Sequence, residues 1–442
     1  MGRRIAVFGT GYLGATHAAC MAELGHDVLG VDVDEGKLAK LSAGELPFFE
    51  PGLSDVLRRS IDSGRLRFTT SYQEAADFAD IHFVAVGTPQ KLGELAADLR
   101  YVDAVIETLA PLLRSPAVIF GKSTVPAGTA ARLGARVREL SPAADGIDLA
   151  WNPEFLREGF AVTDTLHPDR IVLGVDGGRS TQAEAAARDV YASLLDEQIP
   201  FIVTDLATAE LVKTSANAFL ATKISFINAI AEVCEATGAD VSVLADAIGH
   251  DARIGRRFLN AGIGFGGGCL PKDIRAFIAM AGELGAGQAF GLLREVDSIN
   301  MRRRNKMVEL AREAAGGSFI GARVAVLGAA FKPDSDDVRD SPALNIAGQI
   351  QLQGAAVCVY DPEAMQNARQ LFPTLQYAHD VSSACAGADV LMILTEWKQF
   401  VELDPVATGD LVRGRKVIDG RNCLNPTNWR RAGWNYRGIG RP

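Results

Sequence analysis

Residues 4–32 constrain the fold more tightly than any other stretch of the chain. A short apolar run, Ile5 to Phe8, leads straight into Gly9, Gly11 and Gly14, in Gly-x-Gly-x-x-Gly spacing. Helical apolar spacing follows over 12–24, and a second strand-like run, HDVLGVD, ends on Asp32, 18 residues after Gly14. Strand, glycine turn, helix, strand and acid in that order let a pyrophosphate approach the backbone at a helix start. The acid then takes the hydroxyls of an adenosine ribose. Gly9, Gly11, Tyr12, Leu13 and Gly14 are therefore expected to cradle a dinucleotide. Asp32 favours NAD over NADP, since a 2′-phosphate would be repelled there. Lys37 either reaches the same ribose or lies on the solvated face of the next helix.

The alternation of strand and helix continues, which predicts an α/β fold with a parallel sheet covered by helices on both faces. DIHFVAVGTP (80–89) and AVIFGKSTVPAGT (117–129) each read as a buried strand with a small-residue loop at its carboxyl end. Ligands of such sheets bind outside those ends, which places Thr88, Pro89, Ser123 and Thr124 near the cofactor. IDLAW runs into NPEFLREG (152–159), where Glu154, Arg157 and Glu158 either form a solvated turn or line the site. RIVLGV (170–175) and FIVTD (201–205) supply further strands.

From about Ala207 to Thr237 the spacing predicts one long helix, with Lys213 and Asn217 four residues apart and so on one face. A chain of 442 residues is too long for one core. The division expected is 1–205 for a dinucleotide-binding domain, 206–305 for a helical middle domain, and 306–442 for a second α/β domain. The long helix links the two α/β domains and is expected to contribute to a dimer interface. In the last domain ARVAVLG (322–328) imitates the first strand, but AAFKPDSDDVRDSP replaces the glycine triplet. Lys332 and Arg339 in that loop suit phosphate charge rather than close backbone cradling.

The stretch FLNAGIGFGGGCLPKD (258–273) places five glycines, at 262, 264, 266, 267 and 268, directly before Cys269. Pro271 suits a first helical turn, and a helix start favours a thiolate. Taken alone, Cys269 fits either an inert buried thiol or a reactive one. The six cysteines form no C-x-x-C pair and no Cys/His cluster with metal-ligand spacing, which favours a reduced, cytoplasmic protein without a metal. A net charge of -9 argues against a general nucleic-acid or acidic-membrane binder. Arg3 and Arg4 precede an apolar run like that of a signal peptide, but glycines interrupt it, and no apolar stretch is long enough to span a membrane.

Nine motifs stand in order: GTGYLG, FFEPGL (48–53), VGTP, KSTVPAGT, NPEFLREG, the Lys213–Asn217 pair, RIG (253–255), FLNAGIGFGGGCLPKD and FKPDSDDVRDSP. Over nearly all of its length the chain resembles the nucleotide-sugar 6-dehydrogenases. The resemblance implies two Rossmann-like doubly wound domains joined by a long central helix and a helical middle domain, in a homodimer or larger homo-oligomer. It implies oxidation of a sugar C6 alcohol to a carboxylate with two NAD⁺ reduced, UDP-glucose being the expected substrate and dTDP-glucose or GDP-mannose the alternatives. Cys269 would hold the aldehyde as a thiohemiacetal and then a thioester.

By the same resemblance Lys213 would stabilise the alkoxide, with Asn217 beside it, and Asp273 would activate water. Thr124 and Glu154 would position water. Glu158, Lys272 and Arg339 would touch the cofactor, Glu158 the substrate as well. Phe155, Leu156, Arg157, Phe258, Leu259, Asn260, Ala261, Gly262, Gly266 and Lys332 would surround the nucleotide sugar, with Arg253 reaching the neighbouring subunit's. The loop glycines are then expected to make room for that ligand. Many relatives carry Ser and Phe where this chain has Gly268 and Leu270. The competing expectations are a two-electron hydroxyacid dehydrogenase, which would leave Cys269 without a role, and a non-catalytic NAD-binding module.

Overall fold

The structure is a computed structural model that describes residues 2–178, 182–288 and 291–442. Two compact units emerge: residues through Ala216 with Arg275–Leu284, and Asn217–Ile274 with Gly285–Pro442.

The first unit contains β1 Arg4–Phe8, β2 Asp27–Val31, β3 Leu66–Thr69, β4 Ile81–Val84, β5 Ala117–Gly121, β6 Ile147–Trp151, β7 Ile171–Val175 and β8 Phe201–Asp205. They form one sheet in the order β3-β2-β1-β4-β5-β6-β7-β8. Every residue of β4 and β5 is buried, and β1 is buried from Ile5 onward. Such continuous apolar runs, rather than alternating ones, are what a sheet covered on both faces requires. Ile5, Val7, Phe83 and Phe120 pack on one face and Ala6, Phe8, Val84 and Ile119 on the other.

One pair departs from the expected parallel sheet. β6 and β7 are antiparallel, joined through Trp151 opposite Gly174. The connection between them holds a single helix, Ala161–Leu166. The chain turns at the carboxyl end of β6 and β7 runs in reverse.

The second unit contains β9 Arg323–Leu327, β10 Ala356–Tyr360, β11 Gln376–Tyr377, β12 Val390–Ile393, β13 Lys416–Asp419 and β14 Asn435–Gly438. Their order is β11-β10-β9-β12-β13-β14, parallel throughout. The first six strands of the larger sheet follow the same order, the dinucleotide-fold order with its switch point between the first and fourth strands. The expected pair of doubly wound domains is thus present. The units diverge where the sequences diverge. Asp361, which follows β10 as Asp32 follows β2, is fully buried and accepts the N–H groups of Ala329 (2.7 Å) and Ala330 (3.0 Å) and the Trp397 indole N–H (3.1 Å). Its own loop occupies it, which leaves it no capacity for a ribose.

The helix Leu206–Thr237 has 32 residues and belongs to the first unit through Ala216 and to the second from Asn217. Near its start the buried Glu210 accepts the N–H groups of Gly128 and Ala130, both at 2.7 Å. That contact satisfies the first turn of the helix Thr129–Leu140. Among the described residues no helix is long and apolar enough to cross a membrane.

Candidate active site

In the first unit the three glycines have three different physical reasons. Gly9 takes φ +89° and donates to the Val31 carbonyl at 2.8 Å, making the turn. A Cβ on Gly14 would lie 1.7 Å from the Gly9 carbonyl oxygen, so only glycine lets the helix Tyr12–Glu23 start so close to the strand. A Cβ on Gly11 would meet no atom of the described residues within 4 Å, which leaves that backbone open to a ligand. These are the three duties the dinucleotide fingerprint demands.

Asp32 lies at the carboxyl end of β2. It accepts the Thr10 N–H (2.8 Å), the Thr10 hydroxyl (3.0 Å) and the Lys37 ammonium (2.9 Å). Burial pushes its carboxyl up, but Lys37 and the N–H donors outweigh that and hold it below its ordinary range. It stays ionised, and Lys37 is placed beside it rather than on the solvated face. Donors and acid thus fit an adenosine ribose and pyrophosphate.

Tyr12 continues the loop, its hydroxyl donating to Glu50 and its ring 5.0 Å from that of Phe48. Glu50, in the FFEPGL stretch, also accepts the N–H groups of Gly159 (2.6 Å) and Ala161 (2.7 Å). One buried carboxylate therefore ties the cofactor loop to the NPEFLREG loop, a link that bridges 109 residues of sequence. Leu13 packs into the core beneath.

At the ends of β4 and β5 the Thr88 hydroxyl donates to the Thr124 carbonyl at 2.8 Å, and Ser123 donates to the Val86 carbonyl at 2.7 Å. Pro89 is exposed and Thr124 half-buried. After β6, Glu154 pairs with Lys213 at 3.0 Å and accepts the Leu156 N–H at 2.6 Å. The Phe155 ring faces the Lys213 ammonium at 5.6 Å and the Arg170 guanidinium at 3.8 Å. Lys213 is almost entirely buried, a fixed positive charge in a site from which water is largely excluded. Arg157, by contrast, is exposed and bound to Asp164, two of those contacts at 2.9 and 2.6 Å. Glu158 is half-buried and close enough to Tyr12 to raise its hydroxyl's pKa, after burial and Glu50.

In the second unit Asn217 and Asp273 are both buried, and the Asn217 amide donates to Asp273 at 2.6 Å. Lys272 pairs with the other oxygen of Asp273 at 2.5 Å. Asp273 donates its N–H to the Cys269 carbonyl at 3.0 Å, the first bond of the helix Leu270–Glu283. Cys269 therefore stands at that helix start, as its sequence implies, and it is exposed. The other five thiols are buried or half-buried, and burial pushes all five up, Cys20 and Cys385 to about 12. Cys269 is the one exposed cysteine of the six.

The glycines before it have a different cause from the room for a ligand that the sequence suggests. A Cβ on Gly264 would lie 2.2 Å from Asn300 Oδ1, on Gly266 2.4 Å from the Asp340 carbonyl, on Gly267 2.8 Å from the Phe331 ring and on Gly268 2.2 Å from the Arg339 guanidinium. The space is filled by protein. The loop is pressed against residues 331–342 and tied there. Gly267 N–H donates to the Arg339 carbonyl (2.8 Å) and Gly268 N–H to Asp337 (3.2 Å). Buried Arg304 binds Asp340 (2.8 Å) and the Phe265 carbonyl (3.3 Å), and Arg421 binds the Gly264 (3.0 Å) and Phe331 (2.8 Å) carbonyls. Gly268 is thus the seat of Arg339, itself paired with Asp337 at 2.7 Å.

Phe258 takes a left-handed φ of +65°. Leu259 and Ala261 bury their side chains in the unit's own core, so what they present to a ligand is backbone. Asn260 is exposed and accepts from Arg256 at 2.8 Å, and Gly262 N–H donates to Asn228 at 2.9 Å. Lys332 is half-buried, over the Phe331 ring at 5.4 Å. Arg253 projects from the surface beside Asp251, 2.7 Å away. Among the described residues no group of His, Cys, Asp or Glu is arranged to hold a metal ion.

Fold, cofactor loop and exposed thiol define a dinucleotide-dependent dehydrogenase. Residues 3–195 match the NAD binding domain of the UDP-glucose/GDP-mannose dehydrogenase family, 207–302 its central domain and 325–426 its UDP binding domain. The chain is 43% identical over 439 residues to UDP-glucose 6-dehydrogenase of Rhizobium meliloti, covering 99% of this chain and 100% of that one. It is 42% identical to UDP-glucose 6-dehydrogenase TuaD of Bacillus subtilis, covering 100% and 94%. A UDP-glucose dehydrogenase structure from Pyrobaculum islandicum superposes with a TM-score of 0.91 at 38% identity, covering 100% and 98%. A UDP-D-ManNAc dehydrogenase structure from Pyrococcus horikoshii gives 0.87 at 28%, covering 99% of each chain. The chain belongs to the UDP-glucose/GDP-mannose dehydrogenase family, and its cofactor is NAD.

Asp32 carries the first testable consequence. Loss of a charged hydrogen-bond partner costs about 1.5–3 kcal/mol, so Asp32→Ala is expected to weaken NADH binding by roughly tenfold to a hundredfold in a fluorescence titration. Unchanged affinity would remove Asp32 from the ribose site.

Proposed function

We propose that this protein oxidises UDP-glucose at C6 to UDP-glucuronate through a covalent intermediate on Cys269. The observation that carries this reading is the exposed Cys269 at the start of a helix, seated by a loop whose glycines are fully engaged with their own unit. A dehydrogenase that stopped at the aldehyde would need no such thiol.

NAD⁺ would bind twice in succession, each molecule serving as acceptor for one of the two hydrides that C6 gives up. For the alcohol, Lys213 stabilises the alkoxide that forms as the hydroxyl proton leaves, a fixed cation where negative charge develops. Asn217, one turn further along the same helix, donates to the same oxygen. Loss of the first hydride from C6 turns the alkoxide into the aldehyde; the Cys269 thiolate adds to its carbon and the oxygen takes up a proton, giving a thiohemiacetal that keeps the aldehyde from escaping. Loss of a second hydride from that carbon, together with the proton of its hydroxyl, leaves a thioester. Asp273 takes a proton from the attacking water, the C–S bond breaks, and the carboxylate and the thiol are released. Thr124 and Glu154 position water in this scheme.

Glu158, Lys272 and Arg339 are assigned to the cofactor. Glu154, Phe155, Leu156, Arg157, Glu158 and the 258–262 backbone, with Gly266 and Lys332, are assigned to the nucleotide sugar. Lys332 suits the diphosphate charge. A reducing cytoplasm would keep Cys269 as a thiol.

Purified protein incubated with NAD⁺ and, separately, UDP-glucose, dTDP-glucose, GDP-mannose and UDP-N-acetyl sugars tests the substrate. The expected result is the highest kcat/KM for UDP-glucose, with UDP-glucuronate as product by mass spectrometry. Preference for another nucleotide sugar would overturn the assignment of UDP-glucose while keeping the chemistry.

The homodimer has its own support. Phe219, Phe226 and Val233 recur every seven residues along the long helix and are 66%, 50% and 57% exposed. Large apolar side chains in one helical stripe mark an interface between helices. Sedimentation should find a dimer for the parent and a monomer for Phe226→Asp. A Phe226→Asp variant that remains dimeric would place the interface elsewhere.

A further inference from the structure

Lys122 stands outside every role assigned above. It follows β5, is 7% exposed, and lies among groups that usually exclude a charge. Its ammonium donates to Asn152 Oδ1 at 2.9 Å, with the Asn152 carbonyl at 3.5 Å and the Tyr191 hydroxyl at 3.4 Å, and sits 5.6 Å from the Phe83 ring centroid. Among the described residues no carboxylate pairs with it. The carboxylate whose charge acts on it is Glu154, which is itself paired with Lys213. Two buried cations thus share one carboxylate. Burying an unpaired ammonium is costly, and a fold keeps one only where something offsets the cost.

Asn152 shows where the effect goes. Its side chain is fully engaged, donating to the Val172 carbonyl at 2.8 Å and accepting from Tyr191 at 2.7 Å as well as from Lys122. It stands two residues before Glu154 at the end of β6. Lys122 therefore grips, through side chain and carbonyl, the backbone from which Glu154 projects toward Lys213.

We propose that Lys122 is a positioning residue for the Glu154–Lys213 pair: it anchors the Asn152 end of that loop and adds a second positive charge acting on Glu154. The proposal rests on the function assigned to Glu154 and Lys213 above. Burial lowers the Lys122 pKa to about 8, Glu154 working against the shift and Lys213 with it. The other titratable groups facing it are neutral. Burial holds His17 well below its ordinary range, with Lys122 adding to the effect, and burial raises the Tyr191 hydroxyl. Lys122 is charged below about pH 8 and loses its charge as pH rises through that value. The pair would lose the added charge over the same interval.

Two measurements test this. The first needs no substrate: NMR titration of the Lys122 side chain, its signal assigned by its loss in Lys122→Met. The expected midpoint falls by about half a unit or more in Glu154→Gln and rises in Lys213→Met. A midpoint unmoved by both would overturn the coupling. The second is kinetic. In Lys122→Met, and in Lys122→Gln, which can still donate to Asn152, kcat is expected to fall about tenfold or more with KM for NAD⁺ within about twofold. The alkaline limb of the kcat profile should disappear, and the melting temperature of Lys122→Met should equal or exceed the parent's, because a buried charge has gone. Unchanged kcat, a retained alkaline limb, or a loss of activity matched by a loss of stability would overturn the proposal. A parent that turns over no nucleotide sugar would instead overturn the assigned function, and the NMR midpoints would still decide the coupling.

Discussion

Cys269→Ser is expected to reduce overall turnover to the carboxylate by about three orders of magnitude or more while NADH binds as tightly as to the parent. The size follows from the kind of step removed. A hydroxyl is a far weaker nucleophile than a thiolate at neutral pH, and without an adduct the aldehyde has no tether for its second oxidation. The split between turnover and cofactor affinity follows from the assigned roles, because Cys269 is assigned to the aldehyde carbon and not to the dinucleotide. Gel analysis of the parent quenched in mid-turnover should trap sugar on Cys269, and the Ser variant should trap none. Near-normal glucuronate formation by Cys269→Ser would sink the covalent route.

The second large effect is expected at Lys213. Removing a fixed donor to a developing oxyanion lowers kcat by about a hundredfold to a thousandfold. Lys213→Met keeps the side chain's volume, loses the charge and leaves Glu154, 3.0 Å away in the parent, without its partner. Part of the loss should therefore be restored in the double variant Lys213→Met, Glu154→Gln, which removes the stranded carboxylate. KM for NAD⁺ should move by no more than about threefold, since Lys213 is assigned to the reacting oxygen and not to the dinucleotide. If kcat stays within tenfold of the parent, the charge is structural.

Much of this architecture was legible in the residues because the signals are local. Gly9, Gly11, Gly14 and Asp32 sit within one strand-helix-strand unit, and their spacing alone dictates a turn, an open backbone, a close packing contact and an acid at the strand end. The long helix, Leu206–Thr237, was legible for the same reason, a continuous stretch without proline or glycine that Gly238 ends. The direction of β7 was not, because a buried strand has the same composition whichever way it runs. Nor was the reason for the glycines at 264, 266, 267 and 268. A run of glycines announces that something is close, and only the fold identifies it as Asn300, Asp340, Phe331 and Arg339.

The supporting charges were invisible for the same cause. Glu50 meets the N–H of Gly159 across 109 residues, Lys122 meets Asn152 across 30, and Arg421 meets Gly264 across 157. Each looks like an ordinary surface residue in the sequence. One signal could have flagged Glu50 and Lys122: both sit in quoted motifs, FFEPGL and KSTVPAGT, whose charged member had no assigned task. Thr124, Glu154, Lys213, Asn217 and Cys269 stood out from the residues and took their roles from the resemblance, which alone named Asp273; the fold places Glu154 beside Lys213 and Asn217 beside Asp273.

The central claim is that one active centre takes an alcohol through an aldehyde to a carboxylate without releasing the aldehyde. Counting NADH formed per UDP-glucose consumed, with an aldehyde-trapping hydrazine present in excess, tests it most directly. The account predicts two NADH per sugar, with no trapped aldehyde. One NADH per sugar, with the hydrazone accumulating, would contradict it.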